Sequence, residues 1–160
     1  MTTSFAHPAT LGNSEYDGLM NTNTTLFGRP ARHLRGAAMM LLANWVNTTG
    51  EYLLGDKTYR LRVPANPPVK RFWAVTAYDP LSRALLDSGG NITVSSTRGV
   101  DANPDGSVDL YFGQKAPAGK EKNFIQTDPD KGFFVVFRFY GPLEGYIEKT
   151  WVMNDFELID

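Results

Sequence analysis

The strongest hydrophobic segment of the chain is Phe133–Tyr140, which reads FFVVFRFY and is apolar on both faces until Arg138. A short apolar run between turns is typical of a strand that is covered on both sides. Alternation of apolar and polar residues predicts a second strand at Lys57–Val63, with Tyr59 and Val63 on the same face. Both patterns favour a β-rich domain.

Further strands are predicted wherever apolar runs lie between Gly, Pro, Asn or Asp turns. They are Phe72–Tyr78, Arg83–Leu86, Ile92–Ser95, Ser107–Phe112, Asn123–Thr127 and Trp151–Ile159. About eight short strands at regular spacing predict a mainly β fold, a β-sandwich or jelly-roll-like domain, over residues 47–160.

One helix is predicted from Pro30 to Ala43, in a segment 30–46 that packs on the β domain. Its proline suits the first helical turn, and apolar residues such as Leu34 and Leu41 recur at helical spacing. Residues 1–29 are polar and rich in Thr, Asn and Gly, so we expect them to form a flexible arm.

Composition narrows the class of protein. The 160 residues fit one domain, and the net charge of −1 gives no basic surface for nucleic acid. The chain has no Cys, which excludes disulfides and thiolate chemistry, and no apolar run of the roughly 18 residues that a membrane helix needs. Without a basic start and an apolar run there is no signal peptide, so the expected location is cytoplasmic by default.

Metal and cofactor sites are not predicted. The two histidines, His7 and His33, are too far apart in sequence for a local ligand pair. Gly119-Lys120 lacks the upstream glycine and the following Ser or Thr of a phosphate-binding loop. The chain also has no G-x-S-x-G motif, and its catalytic residues are therefore unknown.

Several motifs after Gly50 form a pattern that matches a known family. They include Leu54-Gly-Asp-Lys-Thr-Tyr59, Phe72-Trp-Ala-Val-Thr-Ala-Tyr78, Asn103-Pro-Asp-Gly-Ser-Val-Asp-Leu-Tyr-Phe-Gly113 and Arg138-Phe-Tyr-Gly-Pro-Leu-Glu144. This string resembles the domain-of-unknown-function family 1214, which usually follows the domain of unknown function 1254 in larger proteins. The resemblance implies a β-sandwich or jelly-roll domain and no established reaction. Fuller relatives often look exported, and whether this chain is complete stays open.

Arg138 is the most informative single residue, because it interrupts the apolar strand on the same face as Phe134 and Tyr140. A buried guanidinium is costly unless it is paired. One interpretation is an internal carboxylate partner, with Asp79 or Glu144 as the first candidates. The other is that Arg138 holds the anionic group of a ligand with two parallel hydrogen bonds.

Aromatic residues complete the candidate ligand site. If Arg138 binds a ligand in a sandwich pocket, Tyr140, Tyr78, Trp73 and Trp151 are the expected walls. The alternative is that these rings are ordinary core.

Two classes of function follow from this sequence. The first is a ligand-binding or protein-interaction module, whose partner is a small molecule, a second domain or a second copy of the chain. The second is an enzyme that acts on a small acidic or carbohydrate-like substrate in a pocket near Arg138, which rests on analogy at the level of fold.

Overall fold

The structure is a computed structural model that describes residues 39–159 of the chain. Its regular structure in that range is eight β-strands and one short α-helix. In chain order these are β1 (Met39–Asn44), β2 (Tyr59–Val63), β3 (Val69–Tyr78), β4 (Thr93–Ser95), β5 (Val108–Gly113), β6 (Phe124–Gln126), β7 (Phe134–Pro142), α1 (Glu144–Ile147) and β8 (Glu157–Leu158). The prediction of a mainly β fold is confirmed.

The first sheet is antiparallel and has the strand order β1-β7-β3-β4. Strand β7 pairs with β1 on one side and with β3 on the other, so the prediction of a central strand at Phe133–Tyr140 is confirmed. The register sets Arg138 opposite Ala74 of β3 and opposite Leu41 of β1. A residue with only a methyl side chain therefore lies beside the arginine.

The second sheet has the strand order β6-β5-β2-β8. Strand β2 runs antiparallel to β5 and β8, whereas β5 and β6 are parallel. Tyr59, Leu61 and Val63 are buried and Arg62 between them is exposed, which confirms the alternation predicted for this strand.

Both sheets contribute to one hydrophobic core. The first sheet supplies Trp73, Val75, Ala77, Val94, Val135, Phe137 and Phe139, and the second supplies Tyr59, Leu61, Val63, Val108, Leu110, Phe112 and Ile125. Each fully buried Phe, Leu or Val side chain contributes about 1.5–3 kcal/mol of transfer free energy. The shared core therefore stabilises both sheets together.

The predicted helix is wrong over Met39–Ala43, because these residues belong to strand β1. A run of adjacent apolar residues fits helical and strand spacing equally well, and hydrogen bonding to β7 decides the outcome. The start of the predicted helix, residues 30–38, and the predicted arm, residues 1–29, lie outside the described residues.

Two predicted strands also differ from the structure. Arg83–Leu86 lies in a turn, where Leu85 makes a single bridge to Tyr78. The segment Trp151–Ile159 forms a strand only at β8. Within residues 39–159 no helix is long and apolar enough to span a membrane.

Candidate functional site

The alternation of side chains along β3 and β7 gives the first sheet two different faces. Residues at odd positions, such as Val75 and Phe137, point into the core. Residues at even positions form the opposite face, which we call the arginine face. It consists of Phe72, Ala74, Thr76 and Tyr78 of β3 and Phe134, Val136, Arg138 and Tyr140 of β7.

Arg138 extends along the arginine face to two hydroxyl groups. Its Nη1 donates a hydrogen bond of 2.9 Å to Oγ1 of Thr76, and its Nη2 donates one to the hydroxyl oxygen of Tyr78. Its Cζ also lies 5.4 Å from the ring centroid of Tyr78, within cation–π range. The side chain is half-buried, and none of its partners in the described part of the chain is a carboxylate.

The hydroxyl of Thr76 is itself held in place by the neighbouring strand. Oγ1 of Thr93 on β4 donates a hydrogen bond of 3.0 Å to Oγ1 of Thr76, which is only 4% exposed. The guanidinium of Arg138 therefore rests on a group that is fixed by the sheet.

Three aromatic rings continue the site beyond Arg138. The ring of Tyr78 stacks on Phe134 with centroids 5.3 Å apart, and Phe134 stacks on Trp45 at 4.3 Å with an interplanar angle of 1°. We call Tyr78, Phe134 and Trp45 the aromatic column. At its far end the Cζ of Arg83 lies 5.8 Å from the centroids of both Trp45 and Phe134.

Tyr140 lies on the arginine face, as predicted, next to Arg138 along β7. Its ring stacks on Phe72 with centroids 4.0 Å apart and an interplanar angle of 18°. Both residues are half-buried, so this pair presents an apolar surface on the opposite side of Arg138 from the aromatic column.

Trp73 and Trp151, by contrast, pack on the core side of the sheet. Trp73 is 4% exposed and stacks on Phe137 with centroids 5.3 Å apart. Trp151 packs edge-on against Phe139 at 5.7 Å, and its Nε1 donates a hydrogen bond of 3.1 Å to the main-chain oxygen of Ala65. The structure therefore brings Tyr78 and Tyr140, but not these two tryptophans, to the face that carries Arg138.

The carboxylates first considered as partners of Arg138 have other roles or positions. Oδ1 of Asp79 accepts hydrogen bonds from the main-chain N–H groups of Leu81 and Ser82, which lowers the pKa of Asp79. Glu144 begins helix α1. Neither pairs with Arg138, whose contacts in the described chain are hydroxyls and a ring.

A second polar cluster lies on the other sheet, around the turn that precedes β5. The hydroxyl and the main-chain N–H of Ser107 donate to Oδ1 of Asp105, which lowers the pKa of Asp105 to about 2. Nη2 of Arg62 lies 2.6 Å from Oδ2 of Asp105, and Nδ2 of Asn103 donates to Oδ2 of the buried Asp109. These acids thus have cationic or amide partners. Within residues 39–159, no three His, Cys, Asp or Glu side chains are grouped to hold a metal ion.

Sequence reasoning placed Phe134 on the face of Arg138, but it did not assign Phe72, Thr76, Trp45 or Arg83 to the site. Thr76 lies two residues before Tyr78, so strand alternation was a usable signal for it. The contacts of Trp45 and Arg83 depend on how distant segments pack, and no local pattern marks them.

Comparisons with known proteins concern the family and the fold. A family model described as a protein of unknown function, DUF1214, matches residues 38–144. A search of curated proteins finds no match to the chain.

Solved structures also resemble the chain. The VPA0106 protein from Vibrio parahaemolyticus has a TM-score of 0.68 and 22% sequence identity, over 78% of this chain and 31% of that one. An uncharacterized protein from Burkholderia cenocepacia has a TM-score of 0.53 and 16% identity, over 76% of this chain and 29% of that one. The chain thus spans less than a third of the length of either, and the likeness shows the shared fold alone.

Proposed function

Because the chain belongs to DUF1214, a family of proteins of unknown function, we propose from its geometry that it is a β-sandwich module that binds a carboxylate-bearing small molecule on the arginine face. The sandwich is supported by the single core to which both sheets contribute. Strands β5 and β6 pair in parallel, whereas the strands of a jelly roll are antiparallel, so we do not propose a jelly-roll topology.

The observation that carries the proposal is that no carboxylate among residues 39–159 pairs with the charge of Arg138. A guanidinium has five N–H donors, and two hydroxyls use only some of them. A carboxylate accepts two parallel hydrogen bonds from such a group and neutralises its charge. A half-buried arginine without a carboxylate among its described partners is therefore suited to an anion from outside the described chain.

The site is also prepared for binding before a ligand arrives. Thr76 and Tyr78 hold the guanidinium, and Thr93 in turn holds Thr76. Ala74, opposite Arg138 on β3, adds only a methyl group to this part of the face. Affinity benefits because little side-chain freedom is lost when the ligand binds.

Aromatic surfaces on both sides of Arg138 favour a ligand with an apolar body. The stacked pair of Phe72 and Tyr140 lies on one side, and the ring of Tyr78 lies on the other. A flat apolar group attached to the carboxylate gains buried area against these rings. Benzoate, a carboxylate on an aromatic ring, is the simplest probe with both features.

Binding is favoured over catalysis by the chemistry around Arg138. Its described contacts are two hydroxyls and a ring, which supply hydrogen bonds and electrostatic attraction. General acid–base catalysis needs a titrating group within reach of the substrate, and among the described hydrogen-bond partners of Arg138 that group is the phenol of Tyr78, with no carboxylate beside it. No specific observation supports the alternative of an enzyme on an acidic or carbohydrate-like substrate.

The test is a titration of the protein with benzoate, followed by amide NMR shifts and calorimetry. We expect saturable binding with a Kd of about 1 mM or tighter, and shifts concentrated at the amides of Thr76, Tyr78 and Arg138. Arg138→Gln should weaken binding by about tenfold or more, because the charged donors are lost. Arg60→Gln is the matched control, since Arg60 lies on the second sheet and pairs with Glu157.

Two results would overturn the proposal. One is the absence of saturable benzoate binding to the wild-type protein. The other is equal affinity in the wild-type protein and the folded Arg138→Gln variant, which would mean that benzoate binds elsewhere. The fold of each variant is checked by its circular dichroism spectrum and thermal unfolding.

A further inference from the structure

A second arginine lies beside the two rings of the aromatic column that are most remote from Arg138. Arg83 is exposed, and its Cζ is 5.8 Å from the centroids of both Trp45 and Phe134. Its backbone φ of 61° is in the left-handed region, which is uncommon for a residue other than glycine. Such a conformation persists only when the surrounding structure imposes it.

The turn that follows β3 supplies that constraint. The main-chain N–H of Arg83 donates to the oxygen of Asp79, and the N–H of Asp79 donates to the oxygen of Ala84, each at 3.0 Å. Oδ1 of Asp79 accepts from the N–H groups of Leu81 and Ser82 as well. These hydrogen bonds within the turn fix its backbone, and the side chain of Arg83 is directed onto the column.

The aromatic column connects the two arginines. From Arg138 it runs through Tyr78 and Phe134 to Trp45, with successive centroid distances of 5.3 and 4.3 Å, and Arg83 lies beside Phe134 and Trp45. The stacked rings present their edges between the two positive groups, and Phe134 is only 6% exposed, so an apolar group there packs mainly against Tyr78 and Trp45.

Several described cations pair with carboxylates, whereas Arg83 and Arg138 belong to those that do not. Arg60 pairs with Glu157, Arg62 with Asp105, Lys122 with Asp101 and Lys131 with Asp128. Arg83 and Arg138 instead contact rings and hydroxyls, and no carboxylate among residues 39–159 pairs with either. Each of the two guanidiniums can therefore take an anionic group from outside the described residues as its charge partner.

We propose that the ligand of the arginine face is a dianion with two carboxylates separated by an apolar body, one bound by Arg138 and the other by Arg83. The apolar body lies along the edge of the aromatic column, against the half-buried rings of Tyr78 and Trp45. This inference rests on the proposed function, because it takes Arg138 as the first anchor. It adds that the length of the ligand and its second negative charge determine which carboxylates bind well.

A chain-length series tests the inference in the wild-type protein. The probes are the linear dicarboxylates succinate, adipate, suberate and sebacate, each compared by calorimetry with the monocarboxylate of equal carbon number. We expect one length at which the dicarboxylate binds about tenfold more tightly than its monocarboxylate, with a smaller advantage at shorter lengths. Equal affinity of each pair at every length would overturn the inference.

A variant separates the two anchors. Arg83→Gln removes the charge of the side chain and keeps a polar end group, so the advantage of the dicarboxylate over the monocarboxylate should disappear. Arg98→Gln, at an exposed arginine in the turn after β4, is the control and should keep the advantage. An advantage that survives in Arg83→Gln overturns the inference.

The outcomes distinguish this inference from the proposed function. If monocarboxylates bind through Arg138 and dicarboxylates bind no better, the carboxylate site stands and the second anchor is wrong. If neither class binds to the wild-type protein, both proposals are wrong.

Discussion

Nδ2 of Asn123 donates a hydrogen bond of 3.0 Å to the main-chain oxygen of Asp109. The same amide donates to the main-chain oxygen of Asp101 at 2.8 Å, and its Oδ1 accepts from the N–H of Asp101 at 2.9 Å. The side chain is 1% exposed, so water has little access to these groups. One buried amide thus joins the turn before β6 to strand β5 and to the segment that precedes it.

Replacement of Asn123 by Ala should lower the free energy of unfolding by about 2–4 kcal/mol, because three hydrogen bonds are lost and buried main-chain groups keep no partner. Urea denaturation followed by fluorescence measures the change. Asn91→Ala is the control, since Asn91 is exposed and donates one hydrogen bond to Phe124, and should cost less than about 1 kcal/mol. Equal losses in the two variants would contradict this account of Asn123.

Replacement of Gly55 by Ala should be more damaging than replacement of a glycine in an open turn. A Cβ at Gly55 would lie 1.9 Å from the main-chain oxygen of Asp128 and 2.8 Å from that of Lys131. These are backbone atoms, so two chain segments must separate, and we expect a loss of more than about 3 kcal/mol or failure to fold.

The matched control is Gly119→Ala. Gly119 has a φ of +74° and nothing within 4 Å of an added Cβ, so only backbone strain of about 1–2 kcal/mol is expected. Thermal unfolding and the yield of soluble protein compare the two variants. If the Gly55→Ala protein is as stable as the Gly119→Ala protein, the main chain at residues 55 and 128 can separate at little cost in free energy, which would contradict this prediction.

Strands with a clear pattern were predictable because the pattern is local. Phe133–Tyr140 and Lys57–Val63 correspond to β7 and β2. In Lys57–Val63 the alternation also predicts which positions are buried, whereas Phe133–Tyr140 is apolar on both faces. Met39–Asn44 was not predictable in this way. Its state depends on pairing with β7, almost a hundred residues later in the chain, and tertiary pairing overrides local spacing.

The residues that form the candidate site were likewise predictable only where the pattern is local. Alternation correctly puts Arg138 and Tyr140 on one face of β7. Which residues of β3 share that face depends on the register, in which Phe72 is opposite Tyr140 and Trp73 is opposite Phe139. A shift of one residue would exchange the faces, so the separation of Trp73 from Arg138 follows from the fold and not from the spacing.

Ser107 donates two hydrogen bonds to Asp105, so the pKa of Asp105 reports whether the turn before β5 is formed. The hydroxyl of Ser107 donates at 2.6 Å and its N–H at 3.0 Å, both to Oδ1, and together with Arg62 they lower the pKa of Asp105 from 3.8 to about 2. Ser107→Ala removes the larger contribution, so the pKa should rise towards its ordinary value. Carboxyl NMR shifts measured against pH report this directly.

The sign of the pH effect follows from the lowered pKa. The folded state binds the proton of Asp105 less readily than the unfolded chain, so this contact stabilises the fold above about pH 4 and the contribution is lost as the pH falls to about 2. In Ser107→Ala the loss of stability between these pH values should be shallower than in the wild-type protein. Arg62→Gln should raise the pKa less than Ser107→Ala, because Arg62 contributes less to the shift than Ser107 does. A pKa that stays at about 2 in Ser107→Ala would show that the serine does not hold this carboxylate.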